Sequence, residues 1–509
     1  MEDNDFIPER KYAPYSLGRV LVLGLGRSGK AVVRYCVRLL GTRVDELYIA
    51  AGKQTEDAQA FLEQLSIPAD KVKFGNQAVS DFLTEIMETA EEPAMPIFDL
   101  CIASPGIPPA TDLFKQASEI SGEVISEVEF AWRESRESSR WIGVTGTNGK
   151  STVTACIAHL LGLGGYRVSA VGNIGNTCTT EVEKDACDIY VAELSSYQLA
   201  ETKYFAPDIA VLLNITPDHL AWHKTYEAYQ KAKFKIFANL NARPDSYGIL
   251  DTTNDIVRAE ARFLLALGPD RRKFPLLCMG TDGGITCDAR KALRSPNSAF
   301  LREDGMLCLG IEDKEIELIN RSELLIPGEH NVSNALMSAS AAVLAGEDLA
   351  DVREGLRTFK SLEHRIERCG SINGVICYND SKATNVDATL KALASFPHER
   401  VIALFGGDDK GTNLESLVCS SYEHLFGVIC FGQAGKRFED AFNTHLEGRP
   451  EGFIVRRVAH MEDALDCALT YTKKDDIILL SPACASFDEF HSFEERGTIF
   501  KELVRKRSS

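Results

Sequence analysis

The sequence predicts an α/β protein of three domains, each carried by a largely parallel sheet, and three observations predict it. At 509 residues the chain is too long for one core; at about 150 residues per domain, two to four domains are expected. Short apolar, β-branched runs alternate with helical patterns across short loops, which is how parallel sheets read in sequence. That alternation starts afresh near Val128 and again near Ser361, so the expected domains are 1–127, 128–360 and 361–509.

In the first block the apolar run Val20 to Leu23 leads into the glycine turn GLGRSG and a helical pattern. DELYIA is the next strand, Asp57 to Leu65 the next helix, and FDLCIAS (98–104) a third strand ending on the sharp loop SPGIPP, Ser104 to Pro109. The second block repeats strand, glycine loop and helix in WIGVTGTNGKSTVTACIAHLL. DIYVAEL (188–194) and DIAVLLNI (208–215) are further buried strands. Ligands in open α/β sheets bind beyond the carboxyl ends of the strands, and that is where Glu193 and the segment TPDHL fall. Residues 245 to 326 are less regular and read as the rest of this domain plus an insertion. The helix HNVSNALMSASAAVLAG, with its small apolar residues, is expected to pack back onto the domain. The third block holds GVICYNDSKATN, RVIALFGGDDKG, GVICFG and DIILLSPACAS, separated by helical patterns.

A content of 44% hydrophobic and 26% charged residues suits a globular enzyme. The net charge of -18 argues against nucleic acid as a partner, because neutralising its phosphates needs a basic face. A local cluster of Lys, Arg and backbone N–H groups can still hold one phosphorylated ligand. The start MEDNDFIPERKYAPYS lacks the pattern of a secretion signal, and no apolar run reaches the roughly 18 residues of a membrane span. A cytoplasmic chain without membrane contact, acting as a monomer, is expected. The 14 cysteines form no CxxC pair; most, such as Cys101 and Cys430, sit in apolar segments and read as buried free thiols.

Gly24, Gly26 and Gly29 form GxGxxG between a strand and a helix, a pattern that holds a phosphate-bearing ligand at a helix N-terminus. A nicotinamide dinucleotide wants an acid at the end of the following strand. That strand ends YIAAGK, and a purely structural tight turn is the other reading. GTNGKST, Gly146 to Thr152, is the stronger signal. Its backbone N–H groups would cradle phosphates, Lys150 would neutralise the outer ones, and Ser151 would reach Mg²⁺. Val144 stands where a standard P-loop has glycine. Glu193 ends a strand, where a Mg²⁺ carboxylate belongs, although a lone acid there is commonly a surface residue. His219 and His223, four apart, are either a metal pair on a helix face or solvated. Lys233 lies between Lys231 and Lys235 and by itself reads as one of three lysines on a surface helix. Asp380, Lys382 and Thr384 follow one strand of the third block, Lys410 lies in the glycine loop after another, and Ser486 follows a third. Three strand-end loops, two with lysines, read as an anion pocket. Arg365, next to His364, reads as a charge clamp on phosphates held by the second domain.

Together TGTNGKST, GNIGN, ELSSYQL, NITPDHL, the YQKAK lysine, GEHNVSNAL and LEHR, preceded by GLGRSG and SPGI, resemble the Mur ligase family, which also takes in folylpolyglutamate synthases. The likeness is colinear over nearly the whole chain. GGDDKG and SPACASFDEFHSFEERG continue the likeness, and NDSKATN and SPACASFDEF resemble its D-glutamate-adding branch specifically. The resemblance implies a Rossmann-like N-terminal domain for a UDP-linked substrate, a central P-loop-type ATPase domain, and a mobile Rossmann-like C-terminal domain. It implies ATP, two Mg²⁺ sites and a carbamylated lysine at Lys233, with UDP-N-acetylmuramoyl-L-alanine and D-glutamate as substrates. The implied activity is ATP-dependent amide formation through an acyl phosphate and a tetrahedral intermediate.

Residue by residue, the family motifs imply that Gly24, Gly26, Arg27, Ser28, Ser104 and Asn173 meet the UDP substrate. Gly146, Thr147, Asn148, Gly149, Lys150, Ser151 and Thr152 would hold the ATP phosphates, Asn331 and Asn334 the adenine, Asp380 the ribose, and Arg365 the phosphates again. Ser151, Glu193, His219 and carbamylated Lys233 would hold metal. Lys382, Thr384, Lys410, Ser486 and the backbone at Phe493 would hold D-glutamate. Lys150, Glu193, His219, Lys233 and Arg365 make up the implied catalytic set. The acidic uracil-side motif common after the second strand is missing around YIAAGK, and the first and central domains are longer than this branch leads one to expect. A folylpolyglutamate synthase is the nearest rival, but that class lacks such a first domain at this position. A dehydrogenase would leave GTNGKST, Glu193 and His219 without work, and an inactive binding module would not need every motif lysine intact.

Overall fold

The apolar runs of the sequence become the strands of three sheets in the computed structural model, which describes residues 16–89, 96–243, 245–326, 328–360, 362–408 and 411–508. The chain divides into two compact units, one running to Glu323 with Ser333–Arg357, the other Leu324–Val332 with Thr358–Ser509. Among the described residues no helix is long and apolar enough to cross a membrane.

The first sheet holds β1 (Gly18–Leu23), β2 (Val44–Ala51), β3 (Val72–Phe74), β4 (Phe98–Ala103) and β5 (Ser121–Ser126), all parallel, in the order β3-β2-β1-β4-β5. β1, β2 and β4 are nearly continuous in buried apolar residues, as a sheet covered on both faces requires. The winding direction reverses between β1 and β4, which opens a crevice at their carboxyl ends. There Ser104 N–H donates to Leu23 O at 2.8 Å, and Ser104 Oγ lies 3.4 Å from Gly24 O. The helix Arg27–Arg38 packs so tightly behind this turn that a Cβ on Gly29 would lie 1.9 Å from Gly24 O. β3, β5 and the helix Ala78–Thr89 have no counterpart in the sequence reading; β3 has three half-buried residues and β5 is the mixed run SGEVIS.

The second sheet has nine strands: β6 (Arg140–Thr145), β7 (Val168–Gly172), β8 (Ile189–Glu193), β9 (Ile209–Leu212), β10 (Tyr247–Asp251), β11 (Leu276–Met279), β12 (Asn297–Leu301), β13 (Met306–Ile311) and β14 (Lys314–Asn320). Their order is β14-β13-β12-β11-β10-β9-β6-β8-β7. Pairing is parallel from β7 through β12 and antiparallel for the last two contacts. The less regular stretch after residue 245 therefore extends this sheet strand by strand, with the helix Asp255–Ala266 on its flank, and ends as an antiparallel hairpin edge. β6 lies between β8 and β9, so the loops leaving all three strands share one end of the sheet. The helix Glu329–Leu344 buries Ala335, Leu336, Met337, Ala339, Ala341 and Ala342.

The third sheet holds β15 (Glu367–Ile372), β16 (Val375–Asn379), β17 (Val401–Gly406), β18 (Leu425–Phe431), β19 (Ile454–Arg457) and β20 (Ile477–Ala483), in the order β15-β16-β20-β17-β18-β19. Only β15 runs antiparallel to its neighbour. β20 is central, which brings the loops after β16, β17 and β20 together. All fourteen cysteines are free thiols and most are buried.

Gly29→Ala is expected to destabilise the fold by about 1–3 kcal/mol, because the added methyl meets backbone that cannot give way. Gly26→Ala, whose Cβ meets nothing within 4 Å, should unfold near the wild-type Tm. Thermal unfolding of the two variants measures the difference, and equal values would overturn the close-packing argument.

Candidate active site

β6 runs into a loop whose shape only glycine permits. Gly146 has φ +154° and Gly149 φ +83°. A Cβ on Gly146 would lie 2.9 Å from Leu213 Cβ, and one on Gly149 would lie 2.7 Å from Asn334 Oδ1. Gly149 then starts the helix Lys150–Leu163 with no side-chain cap and no acid in the first turn. Such a start leaves N–H groups and the positive end of the helix dipole for an anion. Lys150 Nζ donates to Gly146 O and Thr147 O, both at 3.0 Å. Ser151 is buried and Thr152 half-buried. The N–H groups of Thr147 and Asn148 turn the other way: Thr147 N donates to Asn214 O at 2.7 Å and Asn148 N to Asn214 Oδ1 at 2.9 Å.

Glu193 closes β8 and is 2% exposed. Its Oε1 accepts from Asn173 Nδ2 at 2.9 Å, while Oε2 is buried with no hydrogen-bond partner among the described residues. Asn173, expected at the UDP substrate, is thus bound to Glu193 through side chain and backbone, its N–H donating to Glu193 O at 3.0 Å. Lys233 is not the surface lysine that its position between Lys231 and Lys235 suggests. Lys231 is exposed and Lys235 donates to Ala200 O and Thr202 O, whereas Lys233 is 2% exposed and donates to Gly146 O at 2.7 Å, its Nζ 4.9 Å from the Tyr229 ring centre. Burial, then the Lys150 ammonium, hold Lys233 well below the usual lysine range.

His219 adopts φ +53°, next to Asp218, with its ring 4.9 Å from that of Tyr197. Burial lowers its pKa, and the Lys233 and Lys150 charges add to the shift against Asp218, which keeps the imidazole neutral and able to ligate. His223 does not pair with it as a metal ligand: His223 is buried and its Nε2 lies 2.9 Å from Ser196 Oγ. Among the described residues no three His, Cys, Asp or Glu side chains form a metal cage. Ser151 and Glu193, with His219 beside them, would suit Mg²⁺, which takes one or two carboxylates and completes its shell with water and substrate phosphate, and Lys233 would join them only as a carbamate. The lone Glu193 oxygen is the observation that favours it.

In the first sheet Gly26 begins the helix Arg27–Arg38, again with no side-chain cap and no acid in the first turn, and Arg27 is exposed there. The space in front of Gly26 is open. Gly24, Ser28 and Ser104 complete this crevice, and β2 ends without an acid beside it.

In the second unit, Asp380 is buried, accepting from Ser481 Oγ at 2.7 Å and Ile366 N at 3.2 Å. Burial raises its pKa to about 7, against those bonds and the charges of Arg365 and Arg496. Lys382 Nζ stands 3.7 Å from the Phe493 ring centre, and Thr384 and Arg365 are half-buried. Phe493 O accepts from Ser381 Oγ at 2.8 Å, and Ser486 is buried. On the helix Glu329–Leu344, Asn331, which belongs to this unit, and Asn334, which belongs to the first, are both buried. Lys410 lies outside the described residues. Sequence reasoning missed Arg496, which is 0% exposed. Its guanidinium donates to Ser381 Oγ and O, Cys484 O and Ala485 O at 2.8–3.1 Å, tying the loops after β16 and β20. In FEERG nothing distinguishes it from a solvated charge.

The family model "Mur ligase middle domain" matches residues 144–342, and "Mur ligase, glutamate ligase domain" matches 364–484. A UDP-N-acetylmuramoylalanine--D-glutamate ligase of Thermoanaerobacter pseudethanolicus is 35% identical over 487 residues, covering 96% of this chain and 98% of its own. The protein of that name from Geobacillus kaustophilus is 35% identical over 497 residues, with 97% and 98% covered. Among solved structures, MurF of Acinetobacter baumannii superposes with a TM-score of 0.56 at 16% identity over 95% of this chain and 93% of its own. MurC of Thermotoga maritima gives 0.52 at 16% over 96% and 99%. At these identities the solved structures speak for the three-domain fold alone.

Burial, with His219 and Lys233, brings the His223 pKa down to about 4. In the unfolded chain an imidazole takes up its proton near 6.5. The unfolded state therefore protonates first on acidification, and stability is lost as pH falls from about 6.5 through 4. His223→Gln is expected to flatten that limb of a plot of Tm against pH. An unchanged limb would overturn the assignment.

Proposed function

This chain belongs to the Mur ligase family, and on that premise we propose that it forms the amide bond between UDP-N-acetylmuramoyl-L-alanine and D-glutamate at the expense of ATP. One observation carries the reading: an uncapped glycine loop with Lys150 stands beside a buried Glu193 carboxylate that keeps one oxygen without a partner among the described residues. The names of relatives that match nearly the whole chain support the choice of D-glutamate. In this reading residues 1–127 hold the UDP substrate at Gly24 to Ser28 and Ser104, 128–360 hold ATP, and 361–509 hold the amino acid. The enzyme works in the cytoplasm, where its nucleotide substrates are.

Lys150 leaves the loop carbonyls for the outer phosphates of ATP and neutralises charge that spreads over the transferring phosphoryl group. Arg365 adds a second cation to those oxygens. Asn331 and Asn334 hold the adenine and Asp380 the ribose. Ser151, Glu193, His219 and the Lys233 carbamate would hold two Mg²⁺ ions, whose part is to offset charge on the phosphate oxygens. The carbamate forms when the neutral Lys233 amine attacks CO₂: the N–C bond closes and a proton leaves to water. Asn173 holds Glu193 in place from one side. The muramoyl-alanine carboxylate attacks the γ-phosphorus and ADP departs. The D-glutamate amine then attacks the acyl phosphate carbon, and the tetrahedral intermediate expels phosphate. Lys382, Thr384, Lys410, Ser486 and the backbone at Phe493 hold the two carboxylates of D-glutamate.

Phosphate release with UDP-N-acetylmuramoyl-L-alanine and ATP should require D-glutamate; equal stimulation by L-alanine, L-lysine or diaminopimelate would refute the reading. Lys233→Ala should be nearly inactive, and a small added carboxylate should restore part of the rate by filling the vacated anion position. Lys231→Ala should keep its activity. Full turnover in Lys233→Ala would remove the carbamate from the mechanism.

A further inference from the structure

We propose that Asn214, the first residue of NITPDHL, is the positioning residue that orders the phosphate loop before ATP arrives; the inference rests on the reading that this loop binds nucleotide phosphates. Asn214 lies just beyond β9, beside the loop. Its side-chain amide treats the main chain of Asn148 as a neighbouring strand would. Oδ1 accepts from Asn148 N at 2.9 Å and Nδ2 donates to Asn148 O at 3.1 Å, while Asn214 O accepts from Thr147 N at 2.7 Å. Three bonds from one residue thus fix two consecutive residues and the three peptide groups that join them to the loop, between two glycines at positive φ.

A loop bounded by Gly146 and Gly149 has more backbone freedom to lose on ordering than any other composition. Without an anchor that loss would fall on the ATP-binding step. Only an amide can anchor both groups of Asn148, since it accepts and donates in one plane. A carboxylate accepts at Asn148 N but sets a second oxygen against Asn148 O. The anchor also sorts the loop's N–H groups. Those of Thr147 and Asn148 are turned to Asn214, so the phosphate cradle falls to the N–H groups that follow, at Gly149 and the helix start. A second bracket holds the same stretch: Thr147 Oγ1 lies 2.9 Å from Tyr229 OH and accepts from Thr216 N at 3.0 Å. Thr216 belongs to the same segment as Asn214, so NITPDHL carries the loop support as well as His219.

The test is direct binding of a non-hydrolysable ATP analogue to the full chain by calorimetry, which does not need the ligase reaction. Asn214→Ala is expected to weaken binding roughly tenfold to a hundredfold, the scale of the two side-chain hydrogen bonds lost, since alanine keeps the main-chain bond. Asn214→Asp should be at least as weak. In turnover the loss should appear in KM for ATP rather than in kcat, with KM for D-glutamate and the Tm near wild type. Binding within about twofold of wild type in Asn214→Ala would overturn the proposal. So would a joint rise of all three KM values with a lowered Tm, the mark of a scaffold residue. If the wild-type chain itself fails to bind the analogue, both the phosphate-loop reading and this proposal fall. If it binds and Asn214→Ala does not, yet D-glutamate releases no phosphate, the proposal stands and only the ligase reading falls.

Discussion

Two ammonium groups share one carbonyl. Lys150 and Lys233 both donate to Gly146 O, from the helix after the loop and from the helix Tyr226–Phe234. Like charges at such separation repel strongly where water is scarce. The arrangement persists because Lys233 is driven toward its neutral form and because Glu193 and Asp218 lie within electrostatic reach. The rest of the central domain follows from that constraint. An anion must arrive for Lys150 to leave the carbonyl, and Lys233 favours chemistry open to a neutral amine. The carboxylate that balances them is held at the end of β8 with one oxygen still unpartnered.

How much of this was legible in sequence depended on whether the signal was local. The three-block α/β architecture was legible because buried parallel strands are unbroken apolar runs, and β1, β6, β8, β9, β17 and β20 are of that kind. β3 and β5 were not, since their register is set by neighbours rather than by hydrophobicity. The phosphate loop could be read from GTNGKST because its glycines answer a steric demand of that same segment. Lys233 could not be told from Lys231 and Lys235 by spacing: Lys231 and Lys233 share the helix Tyr226–Phe234, Lys235 follows at its end, and only tertiary packing decides that the middle one is buried beneath the loop. Family resemblance supplied what the spacing lacked.

Arg496 shows the same limit in the second unit. It is buried without an ion-pair partner among the described residues, and burial brings its pKa down to about 10. A guanidinium tolerates this because carbonyl oxygens satisfy it, and their lone pairs partly offset the charge. What it gains is reach: one planar group links loops that are remote in sequence and adjacent only because β20 lies between β16 and β17. The strand order, not any motif, makes such a tie possible.

The two glycine loops share one further feature with the helices that begin after Leu414 and Ala434, which is a helix start that no side chain caps. Helices beginning after Thr55, Thr111, Ser126, Thr177, Thr225, Asn254, Asn385 and Ser492 are capped by that residue's side chain. Those beginning after Gly26 and Gly149 are not. A cap contributes about 0.5–2 kcal/mol, so its omission at both loops leaves each helix short of stabilisation that a bound anion restores. A serine at Gly149 would regain the cap only by meeting Asn334 and adopting a φ that side chains avoid. At Gly26 no such clash exists, since a Cβ there would meet nothing within 4 Å. Sterics alone therefore explain the bare start at Gly149 and not the one at Gly26, whose backbone is open to a ligand. The crevice between β1 and β4 is where a doubly wound sheet provides one.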